Sequence, residues 1–364
     1  MTPRQRLLTA LQRKTPDRLP ATSHHVMPYF LEKYMKGLSD QAFFEAMGLD
    51  AVHWTHACLP IQQEHWRIET HEIRGQEYET KRHCFVTPRG ELSMVLQSNE
   101  HTTWVSEHLI KKPSDIELLR DFLPHPVCDI ESVTRDATAF GEKGIIRTHV
   151  CSFEAFGQPG CWQDAACLVG IQELIFAAVD DPAWVHELLS ILQRRKLGYI
   201  RSLKGAPYDL IELGGGDASS TVISPQFFDE FVAPYDAPLI AAAHEAGQRI
   251  VYHTCGGMMP LLERIAGMQP DAMETFTPVD MGGDVDLAAA KQRIGDKVCM
   301  IGGLDQLHFF TDCTPAATHA EVRRCFEAAG AGGGFILCPS DHFFDAEPAL
   351  IAAFAAEARA CVYE

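Results

Sequence analysis

Short apolar runs recur along the second half of the chain, each followed by a longer stretch with helical spacing. Gly144 to Val150, Asp209 to Leu213, Arg249 to His253, Ala272 to Phe276, Val298 to Ile301 and Gly334 to Leu337 read as buried strands. Helical patterns cover Ala166 to Ala178, Ala183 to Leu203, Pro225 to Ala246, Met258 to Ala266, Val285 to Ile294, Pro315 to Ala329 and Pro348 to Cys361. Such alternation implies a parallel sheet with right-handed crossovers. Arg18 to His25 and Ala51 to Trp54 are two earlier strand candidates and bring the count to eight. Eight units predict a (β/α)8 TIM barrel, one domain over residues 1–364, with its chemistry at the carboxyl ends of the strands. A doubly wound open sheet is the alternative, but its Gly-x-Gly-x-x-Gly turn is missing.

The amino-terminal part departs from this rhythm. Thr2, Pro3 and Gln5 open a helix that Pro16 ends, and a second helix is predicted over Leu38 to Met47. From about Glu64 to His108 β-formers and polar residues alternate, with Gly75 and Arg89-Gly90 at turn positions. This predicts an antiparallel β insertion, which either covers the active site or packs outside it.

Composition narrows the class. With 46% hydrophobic residues in 364, the chain can bury a large core, and no apolar run approaches the ~20 residues of a membrane-spanning helix. The formal charge of −18 argues against nucleic acid or an anionic membrane as partner. Twelve cysteines without a Cys-x-x-Cys pair, behind an amino terminus lacking a signal-type apolar core, predict reduced thiols in the cytoplasm.

Candidate chemistry gathers at the predicted strand ends. His253 and Cys255 lie two residues apart at the end of one strand, just before Gly256-Gly257, so both face the same side. Imidazole nitrogen with thiolate sulfur is zinc chemistry. A third ligand is sought in the loop after the last strand, where Cys338, Asp341 and His342 follow one another. Other strand ends carry His149, Glu212, Asp217, Glu274 and Asp305, and the loop after the first strand carries His24 and His25. His149, Glu212 and Asp217 are the catalytic candidates, and His24, His25, Asp305 and His342 the substrate-binding ones; for Asp305 a helix cap is an equal alternative.

Several stretches together resemble the uroporphyrinogen decarboxylase superfamily, and within it the corrinoid-linked methyltransferase branch. They are Thr2 to Arg6 with Pro16-Asp17-Arg18, Ser224-Pro225 with Pro234-Tyr235, Tyr252 to Gly256, Ile301-Gly302-Gly303, and Ile336 to Ser340. The resemblance covers essentially the whole chain. It implies a (β/α)8 barrel and zinc held by His253, Cys255 and a Cys after the last strand. By register that Cys position falls on Asp341, whereas Cys338 lies three residues earlier, so both remain candidates. It further implies methyl transfer between a small-molecule methyl donor or thiol acceptor and the cobalt of a corrinoid, carried by a separate corrinoid protein. A homodimer is a further possibility.

The alternative is metal-free decarboxylation of the kind the superfamily is named for. Thr22 to Pro28 offers no Arg for a substrate with many carboxylates, which points to a smaller ligand. A second alternative is a non-catalytic zinc-binding accessory barrel.

Overall fold

The computed structural model describes residues 1–59 and 64–363. Eleven strands divide between two sheets among these residues. Seven are parallel: β1 (Ala51–Trp54), β6 (Gly144–His149), β7 (Leu210–Gly214), β8 (Ile250–His253), β9 (Ala272–Thr275), β10 (Cys299–Leu304) and β11 (Phe335–Pro339), in that order across the sheet. The other four, β2 (Arg67–Glu72), β3 (Glu79–Thr87), β4 (Gly90–Ser98) and β5 (Thr103–Glu107), form an antiparallel meander where the alternating pattern predicts the insertion. Strands β7, β9, β10 and β11 are buried along their whole length. Burial on both faces is why they read as continuous apolar runs.

The closed eight-stranded barrel predicted from the sequence is not formed. The seven-stranded sheet is a strongly curled, open half-barrel whose edges stand 11 Å apart. The missing strand is the predicted first one, Arg18 to His25. In it only Ala21 makes a parallel bridge, to Leu337 of β11, supported by Thr22 N–H to Leu337 O (3.0 Å) and Leu337 N–H to Pro20 O (2.9 Å). On its other side the Ala21 N–H goes to the Asp50 carboxylate (3.2 Å), while the Ala21 carbonyl accepts from Asp50 N–H (2.9 Å). Pro20 has no N–H to offer, and Arg18 bridges instead to Val362 in the antiparallel sense. The segment thus meets β11 only around Leu337, while Arg18 and Leu19 turn to Val362 and Cys361, and no ladder propagates to seal the sheet.

That segment is anchored by charge. Asp50, fully buried, accepts from Arg6 Nη1 (2.6 Å) and Arg18 Nη2 (3.1 Å), and Arg6 also binds Asp17 (2.7 Å). The insertion packs Phe85 between Trp66 (5.4 Å between ring centroids) and Phe153 (4.8 Å). His101, in the β4–β5 hairpin, sits against Tyr29 and Phe344, so the hairpin reaches the loop that follows β11. No single helix among the described residues is long and apolar enough to cross a membrane.

A buried acid ties the sheet to its helices. Asp236, on the helix Ala233–Glu245, accepts from Tyr252 Oη (3.0 Å) of β8 and from Cys161 N–H (3.1 Å) at the start of the helix Cys161–Val169. Burial pushes its carboxyl up to about 6, with those two hydrogen bonds opposing. Between the ordinary value of 3.8 and about 6 the native state holds a proton that the unfolded state has lost. Stability therefore falls as pH rises through that window, by roughly 3 kcal/mol in total. Asp236→Asn should lack this dependence, so urea denaturation of the two proteins at pH 4 and pH 7 should show the variant gaining on the parent by about that amount. Parallel pH dependences would contradict it.

Candidate functional site

The carboxyl ends of the curled strands converge on a cluster of buried ionisable side chains. Parallel register sets His253 on β8 directly beside Glu274 on β9 and opposite Gly214 on β7. Gly214 has φ +109°, and a Cβ there would stand 2.2 Å from the His253 carbonyl oxygen. Only glycine admits the turn by which Gly215 N–H donates to that same oxygen (2.8 Å).

Arg147 of β6 lies at the centre. Its Nη2 donates to Glu212 Oε2 (3.1 Å) and Glu274 Oε1 (2.9 Å), and its Nη1 to Glu274 Oε2 (3.1 Å). The guanidinium also stacks under Trp54, 4.5 Å from the ring centre, and the Trp54 indole N–H donates to the His24 carbonyl (2.8 Å). That contact holds the loop so that His24 Nε2 meets Glu212 Oε2 at 2.8 Å, with His25 stacked on Trp54 at 4.3 Å. His253 Nδ1 lies 3.2 Å from Glu274 Oε1, and its Nε2 lies 3.0 Å from Cys255 Sγ.

Burial and charge sort the protonation states. Glu212 is pushed up to about 7, first by burial and also by Glu274, against the pull of His253 and Arg147. Glu274 goes the other way: burial would raise it, but Arg147 and the hydrogen bond to His253 hold it well below the usual range. Burial lowers His24 strongly and takes His25 down to about 3, with Arg147 adding, so both rings are neutral. Burial would also lower His253, but the neighbouring Cys255 and the hydrogen bond to Glu274 outweigh it and raise that ring well above its ordinary value. The cluster thus offers one carboxyl able to give or take a proton near neutral pH, one ionised carboxylate and a cationic imidazole within 4.8 Å of one another.

The sequence-derived candidates do not all meet here. Glu212, His24, His253 and Cys255 come together, with His25 at the edge. Cys338, buried on β11, borders the cluster: its thiol is pushed up by burial and by Glu274, with Arg147 and the His24 backbone opposing. Asp341 lies on the rim and pairs with His342 (2.9 Å), which outweighs burial and keeps it low. His149 donates from Nδ1 to the Val150 carbonyl (2.8 Å) and lies against His56, 4.1 Å between ring centroids. Asp217 sits in a turn after β7, raised by burial alone. Asp305 caps the helix Gln306–Phe309, accepting from His308 N–H (3.0 Å). Sequence reasoning passed over Arg147 and Trp54, and placed Glu274 at a strand end without a role. The signal was present for Arg147: an arginine inside an apolar strand is buried only with partners.

The donor set fits a divalent cation. His24, Glu212, His253 and Glu274 each place a ligand atom within 4.8 Å of the others. His253 also has the second-shell arrangement common to metal sites: one ring nitrogen held by a carboxylate, the other beside a sulfur.

A family model described as "Uroporphyrinogen decarboxylase (URO-D)" matches residues 153–360, more than half of the chain and including Glu212, His253, Cys255 and Glu274. Curated relatives include uroporphyrinogen decarboxylases from Chromohalobacter salexigens, 29% identical over 43% of this chain and 42% of that one, and from Psychromonas ingrahamii, 26% identical over the same shares. The matches thus span less than half the length of those relatives. Among solved structures, a methyltransferase from Methanosarcina mazei superposes over 98% of both chains with a TM-score of 0.65 at 15% identity. A B12-independent methionine synthase from Shewanella covers 93% of this chain and 97% of its own, with a TM-score of 0.50 at 12% identity. At such identities these likenesses show the fold alone. The methyltransferase activity expected from the sequence is therefore corrected: the family model and the curated relatives are decarboxylases.

Proposed function

This chain belongs to the uroporphyrinogen decarboxylase family, and from that premise we propose that it is a decarboxylase, releasing CO2 from a carboxylated substrate at the cluster around Glu212. The observation that carries this reading is the 2.8 Å contact between the buried Glu212 carboxyl, raised to about 7, and the ring of His24, which burial lowers strongly. Decarboxylation breaks a carbon–carbon bond, leaves the electron pair on the carbon and requires a proton there: R–COO⁻ + H⁺ gives R–H + CO2. Glu212 is the proton donor in this scheme, and His24 relays the replacement proton from the mouth. Cationic His253 attracts the anionic end of the substrate, while Arg147 balances Glu274.

The available cations favour a compact substrate over a polyanionic one. Arg147 is committed to two glutamates. Arg195 is committed to the Pro124 and Ser152 carbonyls and Glu154, and Lys196 to the Cys151 and Gln158 carbonyls and Asp164. A carboxylated pyrrole or similar electron-rich ring with few carboxylates suits this inventory. A corrinoid protein belongs to methyl transfer and has no part in this chemistry.

A second reading rests on His253, whose Nε2 faces Cys255 Sγ at 3.0 Å while Nδ1 is held at Glu274. His253 and Cys255 would hold a divalent cation such as zinc, completed by Glu212 or His24, or by Cys338 or Asp341 from the β11 loop. Bound there, the ion would supply a Lewis acid. The test is CO2 release from uroporphyrinogen and from smaller carboxylated pyrroles, before and after dialysis against a chelator, beside Cys255→Ser. We expect release from the smaller acids that survives both treatments within a few-fold. Loss on chelation restored by zinc would establish the second reading, and no CO2 from any acid would overturn the decarboxylase assignment.

A further inference from the structure

The twelve cysteines are free thiols, yet two of them face each other across a backbone bridge. Cys58, just past the end of β1, and Cys128, just before the helix Ile130–Phe140, form an isolated antiparallel pair. The flanking hydrogen bonds run from Leu59 N–H to Val127 O (2.8 Å) and from Asp129 N–H to Ala57 O (3.0 Å). Bonds in those positions, with none between residues 58 and 128 themselves, define a non-hydrogen-bonded pair. In such a pair the Cα atoms approach to about 4.5 Å and the side chains project to the same face. This falls inside the range of about 4.4–6.8 Å that a disulfide spans. Charge agrees with proximity: after burial, Cys58 is the next contributor that pushes the Cys128 thiol up, to about 11.

We propose that Cys58 and Cys128 form a reversible disulfide that staples the base of the β insertion. The position gives the bond its consequence. The chain between the two cysteines contains the whole meander β2–β5, so the bond would close a loop around that sheet. At its amino-terminal end it would fix the segment leaving β1, which carries His56 against His149 at the mouth. Cys58 is exposed and Cys128 buried, so the two thiols have distinct parts. Hydrogen peroxide meets Cys58 first: the thiolate attacks one oxygen, giving Cys58–SOH and hydroxide. The Cys128 thiolate then attacks that sulfur, forming the S–S bond and expelling a second hydroxide; the two protons lost by the thiols make both into water. A low-molecular-weight disulfide would reach the same product by exchange, releasing two thiols. Dithiol reductants reverse the bond.

The full-length protein is treated with hydrogen peroxide or oxidised glutathione, alkylated, digested and mapped by mass spectrometry. We expect a peptide pair joined through Cys58 and Cys128, two hydrogens lighter than the sum of its reduced parts and separated by dithiothreitol. We also expect a rise in Tm of roughly 5–10 °C over the reduced protein, because the closed loop is long. Cys58→Ser, a change at an exposed position, should abolish both the joined pair and the rise. Cys128→Ala, which leaves Cys58 without its partner, should abolish the joined pair as well and leave Cys58 as the glutathione mixed disulfide. Pairing of Cys58 with Cys151, accumulation of Cys58 sulfinic acid in the parent, or no joined peptide under either oxidant would overturn the proposal. None of these readouts uses catalytic activity.

Discussion

Glu212→Gln should lower CO2 release by about 10²–10⁴-fold, the loss expected when a general acid is removed, while the protein keeps its fold. The glutamine amide has nearly the shape of a protonated carboxyl and can still accept from Arg147 Nη2, which donates to Glu212 at 3.1 Å. It can also still meet His24 Nε2, which lies at 2.8 Å from the native oxygen. What it lacks is a proton to give. The loss should therefore appear in kcat with little change in KM, and thermal unfolding should match the parent to within a few degrees. Arg147 is a less informative target, because its removal strands two buried carboxylates and the fold would suffer with the chemistry. Undiminished turnover by the glutamine variant would remove Glu212 from the mechanism.

The second large effect concerns stability. Asp50→Ala should cost about 3–5 kcal/mol in urea denaturation, the range for breaking a buried ion pair from one side. Asp50 is fully buried and accepts from two guanidinium groups and from Ala21 N–H. The alanine leaves Arg18 without its carboxylate partner and the Ala21 N–H without an acceptor, whereas Arg6 keeps Asp17 at 2.7 Å. Asp50→Asn, which retains an oxygen but no charge, should cost less. A loss below about 1 kcal/mol for the alanine variant would mean that the segment from Arg18 to Thr22 is not held by this carboxylate.

Much of this was legible in the chain, for identifiable reasons. Each parallel strand announces itself as an apolar run because both of its faces are covered, and β6 to β11 lie on the predicted runs to within a few residues. His253 and Cys255 were legible as a pair because strand geometry alone puts them on one side. The open edge was not legible. Whether Arg18 to His25 extends into a strand depends on which groups take its N–H donors, and Asp50 and Cys361, far along the chain, take two of them. The centre of the site was hidden for a similar reason. Arg147 and Glu274 are 127 residues apart, and their ion pair exists only once the sheet curls. His24 reaches Glu212 only because Trp54 holds its carbonyl, a contact that no local pattern encodes. Cys338 was legible from its place beside Pro339, and the strand that continues through it buries the sulfur next to Glu274.

The way the two ends of the chain meet also bears on how a nascent chain matures. Ala21 rests on Leu337, Leu19 N–H donates to Cys361 O, and Arg18 bridges to Val362. On a ribosome, residues 18–22 therefore find Asp50 early but wait for residues 337–362 to emerge before their remaining partners exist. During that interval the edge of β1 presents unpaired backbone and the Arg6–Asp50–Arg18 cluster lacks its cover. Such long-range closure is slow by nature and exposes a sheet edge to neighbouring chains. Production of this protein should thus respond more to holdase chaperones and to lower temperature, which limit the encounter of two unfinished chains, than to any change in the middle of the sequence.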